Sequence, residues 1–148
     1  MNHFSQIAAQ LERCGLDGVL LTEEANRFYA SGFHSAGTDG AALVTRRGAW
    51  YFTDSRYIEA AERYVRDAKI DEVRPGRGYS TLIEEVVKAE GIARLGFEDA
   101  YMTVRDHGFY AKALSCELVP ATELLWELRS VKSPEELAVM EQAQRIAE

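Results

Sequence analysis

The chain is poor in the residues that build self-contained reactive sites. It has only two cysteines in 148 residues, Cys14 and Cys116, and no CxxC pair. That excludes a disulfide framework and a thiolate metal cluster, and both cysteines are expected as buried thiols. Histidine is equally scarce: His3, His34 and His107 lie in three separate segments, with no HxxxH or HExxH spacing. Transition metals want clustered imidazole, thiolate and carboxylate, so no metal site is expected from this chain alone. His3 reads as part of a flexible terminus and His107 as an exposed helix position. Long apolar runs are missing too. A stretch such as Gly18-Val19-Leu20-Leu21 falls far short of the ~20 residues that span a bilayer. The opening MNHFSQIAAQLERCG has no basic segment leading into an apolar core, so no secretory signal is expected and the cytoplasm is the default location.

Positive charge is also in short supply. Lys and Arg number 17 against 24 Asp and Glu, a net charge of −7. A general nucleic-acid binder draws its affinity from neutralising phosphates, so this balance argues against one. Arg46-Arg47, an adjacent basic pair, reads as a solvated hairpin turn.

What remains is an ordinary globular composition, 47% hydrophobic and 28% charged. A chain of this length fits one domain and buries roughly 70% of its unfolded surface. Apolar spacing predicts helices over 3–14, 23–30, 55–66, 81–90, 103–114 and 123–129, with Gly15, Ser31-Gly32 and Gly91 as stops. Strands are expected at 17–22, 41–45, 50–53, 69–74, 94–98 and 116–119. Arg46-Arg47-Gly48 joins two of them as an antiparallel hairpin, and the glycine-rich segment GFHSAGTDG (32–40) must be a loop. Alternating strands and helices indicate an α/β fold: a mixed sheet of about five to six strands with helices on both faces. Ser133, Pro134 and Glu136 form a helix start, with Ser133 as N-cap, Pro134 at the first helical position and Glu136 completing a capping box. The helix they open runs to Glu148 without a closing Gly or Asn.

The common catalytic patterns fail one by one. Phe33-His34-Ser35-Ala36-Gly37 misses GxSxG by its first glycine, and Pro75-Gly76-Arg77-Gly78-Tyr79-Ser80-Thr81 lacks the GK[ST] ending of a P-loop. The turn Thr22-Glu23-Glu24-Ala25 offers two acids and no glycine, so it would repel phosphate. The carboxylate pairs Glu23-Glu24, Glu84-Glu85 and Glu98-Asp99 all read as helix-surface or turn residues. No catalytic residue is expected within this chain.

Three segments in order carry a resemblance. They are Asp17 to Thr22 followed by Asn26-Arg27-Phe28-Tyr29-Ala30-Ser31-Gly32-Phe33; Trp50-Tyr51-Phe52-Thr53-Asp54-Ser55-Arg56-Tyr57-Ile58-Glu59-Ala60-Ala61; and Leu128-Arg129-Ser130-Val131-Lys132-Ser133-Pro134-Glu135-Glu136-Leu137. Together they resemble the N-terminal domain of the Xaa-Pro peptidases: prolidase, aminopeptidase P and their creatinase relatives. The resemblance implies a ribonuclease H-like motif over 1–130. Residues 131–148 are then a hinge and the first helix of a C-terminal metallopeptidase domain. In such parents two divalent metals (Mn, Co or Zn), held by two Asp, one His and two Glu, all belong to that second domain, so none is expected to be bound here and this chain alone is expected to be inactive. The resemblance further implies a homo-oligomer, dimer or tetramer, acting on Xaa-Pro peptides, in which this domain reaches a neighbouring subunit's cleft. Phe33, His34, Arg56 and Tyr57 are the candidates for gating substrate in trans. The residues also allow plainer roles: Phe33 as an anchor under its loop, Asp54 as an N-cap or partner of Arg56, and Tyr57 as core. A creatinase-like amidinohydrolase, or a non-catalytic interaction module, would carry the same scaffold.

Overall fold

A computed structural model describes residues 1–148. Six strands form one mixed sheet, ordered β4-β3-β2-β1-β5-β6. They are β1 (Gly18–Leu21), β2 (Gly40–Thr45), β3 (Ala49–Thr53), β4 (Lys69–Glu72), β5 (Arg94–Phe97) and β6 (Glu117–Pro120). Only β2 opposes its neighbours; β1 pairs with β5, β5 with β6 and β3 with β4 in parallel. Five carboxyl ends therefore gather at one edge of the sheet, together with the start of β2.

There are seven helices, of which the first six pack on the sheet: α1 (Phe4–Leu11), α2 (Glu24–Ser31), α3 (Ile58–Tyr64), α4 (Tyr79–Glu90), α5 (Val104–Ala113), α6 (Thr122–Ser130) and α7 (Pro134–Ala147). Alternation along the strands sorts their side chains to two cores. Val19, Leu21, Val44 and Tyr51 face Ile7 and Leu11 of α1, Ala30 of α2, Ala61 of α3 and Leu125 of α6. Leu20, Leu43, Phe52 and Leu95 face Leu82, Ile83, Val86 and Val87 of α4, with Tyr110 of α5 packed alongside. The helices thus lie on both faces, as the α/β alternation predicts. Gly96 permits a close approach between β5 and the entry to α6: a Cβ there would stand 2.8 Å from the Ala121 Cβ.

Several expectations shift by a turn. The first helix stops at Leu11 and Glu12 to Gly15 form turns, with Gly15 at φ 68°. The helix expected from Ser55 starts at Ile58, because Asp54 to Tyr57 make a tight turn in which the Asp54 carbonyl accepts from the Tyr57 and Ile58 amides. Cys14 and Cys116 are free and half-buried rather than fully enclosed. His107 is half-buried, not an exposed helix residue, with its ring 4.8 Å from that of Phe97. His3 departs furthest from its expectation. It is 9% exposed, its ring stacked on Tyr29 at 4.0 Å, and its Nδ1 donates to the Tyr29 carbonyl at 2.6 Å.

The last helix begins as its sequence dictates. The Ser133 hydroxyl accepts from the Glu136 amide at 3.1 Å, and the Glu136 carboxylate accepts from the Ser133 amide at 2.8 Å. Yet α7 buries no residue. Val139 is 61% and Ile146 80% exposed.

Candidate functional site at the carboxyl edge of the sheet

Strands β1 and β5 are parallel neighbours, but the helices that follow them, α2 and α5, lie on opposite faces. Such a divergence opens a crevice at the carboxyl ends of the strands, where open α/β sheets bind ligands. A cleft of about 560 Å³ lies there, walled by Glu23, Glu24, Tyr79, Tyr101, Asp106 and Tyr110. Thr22 and Glu23, which also line it, are held from behind by Glu98. That carboxylate is fully buried, contrary to its expected place on a turn. One oxygen accepts from the Thr22 amide (2.8 Å), the Thr22 hydroxyl (2.8 Å) and the Glu23 amide (3.0 Å). The other accepts from Asn26 Nδ2 at 3.0 Å. The amides at the head of α2, which a nucleotide-binding fold would offer to phosphate, are thus already satisfied by a protein carboxylate. Burial pushes the Glu98 carboxyl above its ordinary range, and the hydrogen bonds from Thr22 and Asn26 only partly oppose that shift.

Arg27 is the buried counter-charge, 1% exposed. Its guanidinium donates to the Thr22 carbonyl through Nη1 and to the Ser35 carbonyl at 2.7 Å through Nη2. Glu98 and Arg27 therefore grip Thr22 from its two sides, and Arg27 also ties the glycine-rich loop to α2. The Ser35 hydroxyl shares a 2.6 Å hydrogen bond with the Tyr51 hydroxyl. Gly40 makes room for this cluster, since a Cβ there would lie 2.6 Å from Ser35 Oγ and 3.2 Å from Arg27 Nε.

The loop over 32–40 is clamped at both flanks. Glu24 accepts from the Gly37 amide at 2.9 Å and pairs with His34 Nε2 at 2.6 Å. Chiefly through the Gly37 amide, and then His34, the Glu24 carboxyl is held below its usual range. On the far side Arg56 bridges Asp39 (2.6 Å) and Asp54 (2.7 Å), and its guanidinium is pushed up by Asp54 first and Asp39 second. Hydrogen bonding to Arg56 likewise lowers the Asp54 carboxyl. His34 thus stands at one flank of the loop, and Asp54 and Arg56 at the other. Tyr57, half-buried, stands at the head of α3 with the Arg56 guanidinium 5.5 Å from its ring centroid. Phe33 points the other way: 8% exposed, it packs edge-on against Tyr51 at 5.7 Å beneath the loop. The Tyr79 hydroxyl, enclosed and without a hydrogen-bond partner, is pushed up to about 12, by burial first and then by Asp54 and Asp39.

No three His, Cys, Asp or Glu side chains converge in a group that could hold a metal ion. No helix is long and apolar enough to cross a membrane. Composition had no means of showing Glu98, Asn26 and Arg27 as one buried network. The only hint was that Asn26 and Arg27 fall one position apart in a helix whose inner face should be apolar.

The family model of the creatinase/prolidase N-terminal domain matches residues 4–131. The chain belongs to this family. It is 36% identical over 135 residues to the uncharacterized peptidase YqhT of Bacillus subtilis (strain 168), covering 90% of this chain and 37% of that protein. Its creatinase/prolidase fold superposes on an Xaa-Pro dipeptidase from Bacillus anthracis with a TM-score of 0.83 and 28% identity, over 94% of this chain and 38% of that one. The N-terminal domain of the cytoplasmic peptidase PepQ from Mycobacterium tuberculosis H37Rv gives a TM-score of 0.74 at 30% identity, covering 85% of this chain and 97% of that one. This chain of the creatinase/prolidase N-terminal family therefore spans under two-fifths of the length of YqhT and of the Bacillus anthracis dipeptidase.

Proposed function

We propose that this chain is the N-terminal oligomerisation and substrate-gating domain of a two-domain, cytoplasmic Xaa-Pro peptidase, a dipeptidase or aminopeptidase P that hydrolyses the bond preceding proline. Residues 1–130 form that domain, and 131–148 are the hinge and first helix of the catalytic domain. Two divalent ions (Mn, Co or Zn) in that second domain would supply the hydroxide nucleophile. The residues of this chain contribute recognition only. The observation that carries the reading is the clamped loop: Glu24 and Arg56 hold its flanks while His34 stays 62% exposed. A polar side chain on a pre-ordered platform suits contact with a substrate or a neighbouring subunit, because little entropy is lost when it binds. Family membership and the exposed apolar stripe of α7 support the division into two domains.

The test uses the protein carrying its second domain, which should contain the two Asp, one His and two Glu of a dinuclear site. With manganese, it should cleave Xaa-Pro dipeptides or longer Xaa-Pro peptides in preference to creatine. His34→Ala should change KM for longer peptides by about fivefold, the scale of an exposed polar contact, while kcat on a dipeptide stays put. A second domain lacking those five residues sinks the peptidase reading. Equal kinetics for His34→Ala on every peptide length sinks the gating role.

A further inference from the structure

The segment Met1–His3, ahead of α1, runs across the end of α2 and reaches the first turn of α7, and it is fastened along its length. The Asn2 side chain donates to Asp67 Oδ2 at 3.1 Å, beside β4. The His3 amide donates to the Ala30 carbonyl at 2.9 Å, at the end of α2. The His3 ring lies flat on Tyr29, its planes 4° from parallel, with Nδ1 bound to the Tyr29 carbonyl. Nε2, the remaining ring nitrogen, points across a gap to Glu136 Oε1 at 3.5 Å. Glu136 divides its two oxygens: Oε2 caps α7 through the Ser133 amide, and Oε1 faces His3.

Gly32 fixes the path of this segment. It has φ 69°, and a Cβ built on it would lie 2.2 Å from the Met1 carbonyl oxygen. The residue that stops α2 is thus also the one whose missing side chain lets the segment through. The end of α6, just ahead of the hinge, is held from the same helix. Arg129 Nη1 donates to Asn26 Oδ1 at 2.9 Å, and Asn26 is itself held by Glu98. Asn26 and Tyr29 are three residues apart, so both holds spring from one side of α2.

We infer that Met1–His3 is a strap that fixes the direction in which α7 leaves the body, with His3 as its clasp on Glu136. α7 has no buried side chain of its own, so its orientation must come from such end contacts. Around the His3–Glu136 clasp stand Tyr29 from α2, Arg129 and Glu127 from α6, Lys132 from the connection and Arg13 from the turn after α1. The inference goes beyond the peptidase reading and is independent of it, since it concerns contacts within this chain and its test reads no activity.

The test is hydrogen exchange on the 148-residue chain, followed amide by amide. His3→Ala should raise exchange in the first two turns of α7 on the order of fivefold, the effect of losing a partly buried pair. The sheet amides of β1 and β5 should not change. Glu136→Gln, which can still accept from the Ser133 amide, should raise exchange by a similar factor, and the double variant should be no worse than either single one. Should His3→Ala prove too unstable to fold, His3→Gln is read the same way, since it can still donate to the Tyr29 carbonyl but cannot stack or carry charge. Unchanged α7 exchange in the histidine variant, or additive effects in the double variant, would overturn the strap.

Discussion

Glu98 is a carboxylate without exposed surface, and its neighbours decide what that costs. Its two oxygens receive hydrogen bonds from Thr22, Glu23 and Asn26, but no cation touches them directly. Arg27 neutralises the region only through the peptide group of Thr22. Burial therefore leaves the carboxyl above its ordinary value of 4.5. The sign follows from linkage: with the folded value raised, the native state takes up this proton at a higher pH than the unfolded chain does. Its contribution to stability then grows as pH falls through the raised value, and levels off below the unfolded one. The carboxyls of Asp17, Glu24, Asp54, Asp99 and Glu136 shift the other way. Their contributions fade only as pH drops below the ordinary carboxylate range, so the two windows do not overlap. Urea unfolding from pH 7 to pH 5 should show the wild type gaining stability relative to Glu98→Gln. Parallel curves would mean that the hydrogen bonds cancel the cost of burial.

At the scale of elements, α2 does more than its eight residues suggest. Its cap, Glu23, accepts from the Asn26 amide; Glu24 holds the loop, Arg27 secures Ser35, and Asn26 holds the end of α6 through Arg129. The Glu24 clamp is exposed and loop-local, so Glu24→Ala should leave the melting temperature unchanged within error while exchange at Gly37 and its neighbours rises. Because its carboxyl is held low, the wild-type clamp persists through the ordinary glutamate range and is lost only as pH falls through the lowered value. Protection that disappears already near pH 5 would contradict this. The elements themselves were legible because a helix or strand is written in local periodicity, and each expected strand and helix is present within a few residues of its expected bounds. The capping box of α7 was legible for the same reason, since Ser133 and Glu136 are three residues apart. Glu98 and Thr22 are 76 positions apart, and His3 and Glu136 lie at opposite ends of the chain. Nothing local distinguishes such residues from solvated ones. The candidate site was legible in part. The loop and the Asp54–Arg56 pair stood out through glycine content and proximity, whereas the buried network under the loop needed the fold.

At the scale of the whole molecule, two cores sandwich the sheet and neither draws on α7. The apolar stripe of that helix, with Leu137 at 47% and Met140 at 53% exposed, adds nothing to burial within this chain. What ties α7 to the body is the His3–Glu136 contact across the first turn, and such a contact is worth no more than about 1 kcal/mol. A chain ending at Ser130 keeps every strand and both cores and loses that contact and the exposed Lys132 hydrogen bond to the Arg129 carbonyl. Its cooperative melting temperature should fall by no more than about 4 °C, the shift that roughly 1 kcal/mol produces in a domain near this size. Circular dichroism should lose the helical signal of the fourteen residues of α7. A much larger drop, or loss of the cooperative transition, would mean that α7 belongs to the core of this domain. That outcome would also remove the exposed stripe as support for a second domain packing there, because a helix needed by its own body is not free to serve the next one.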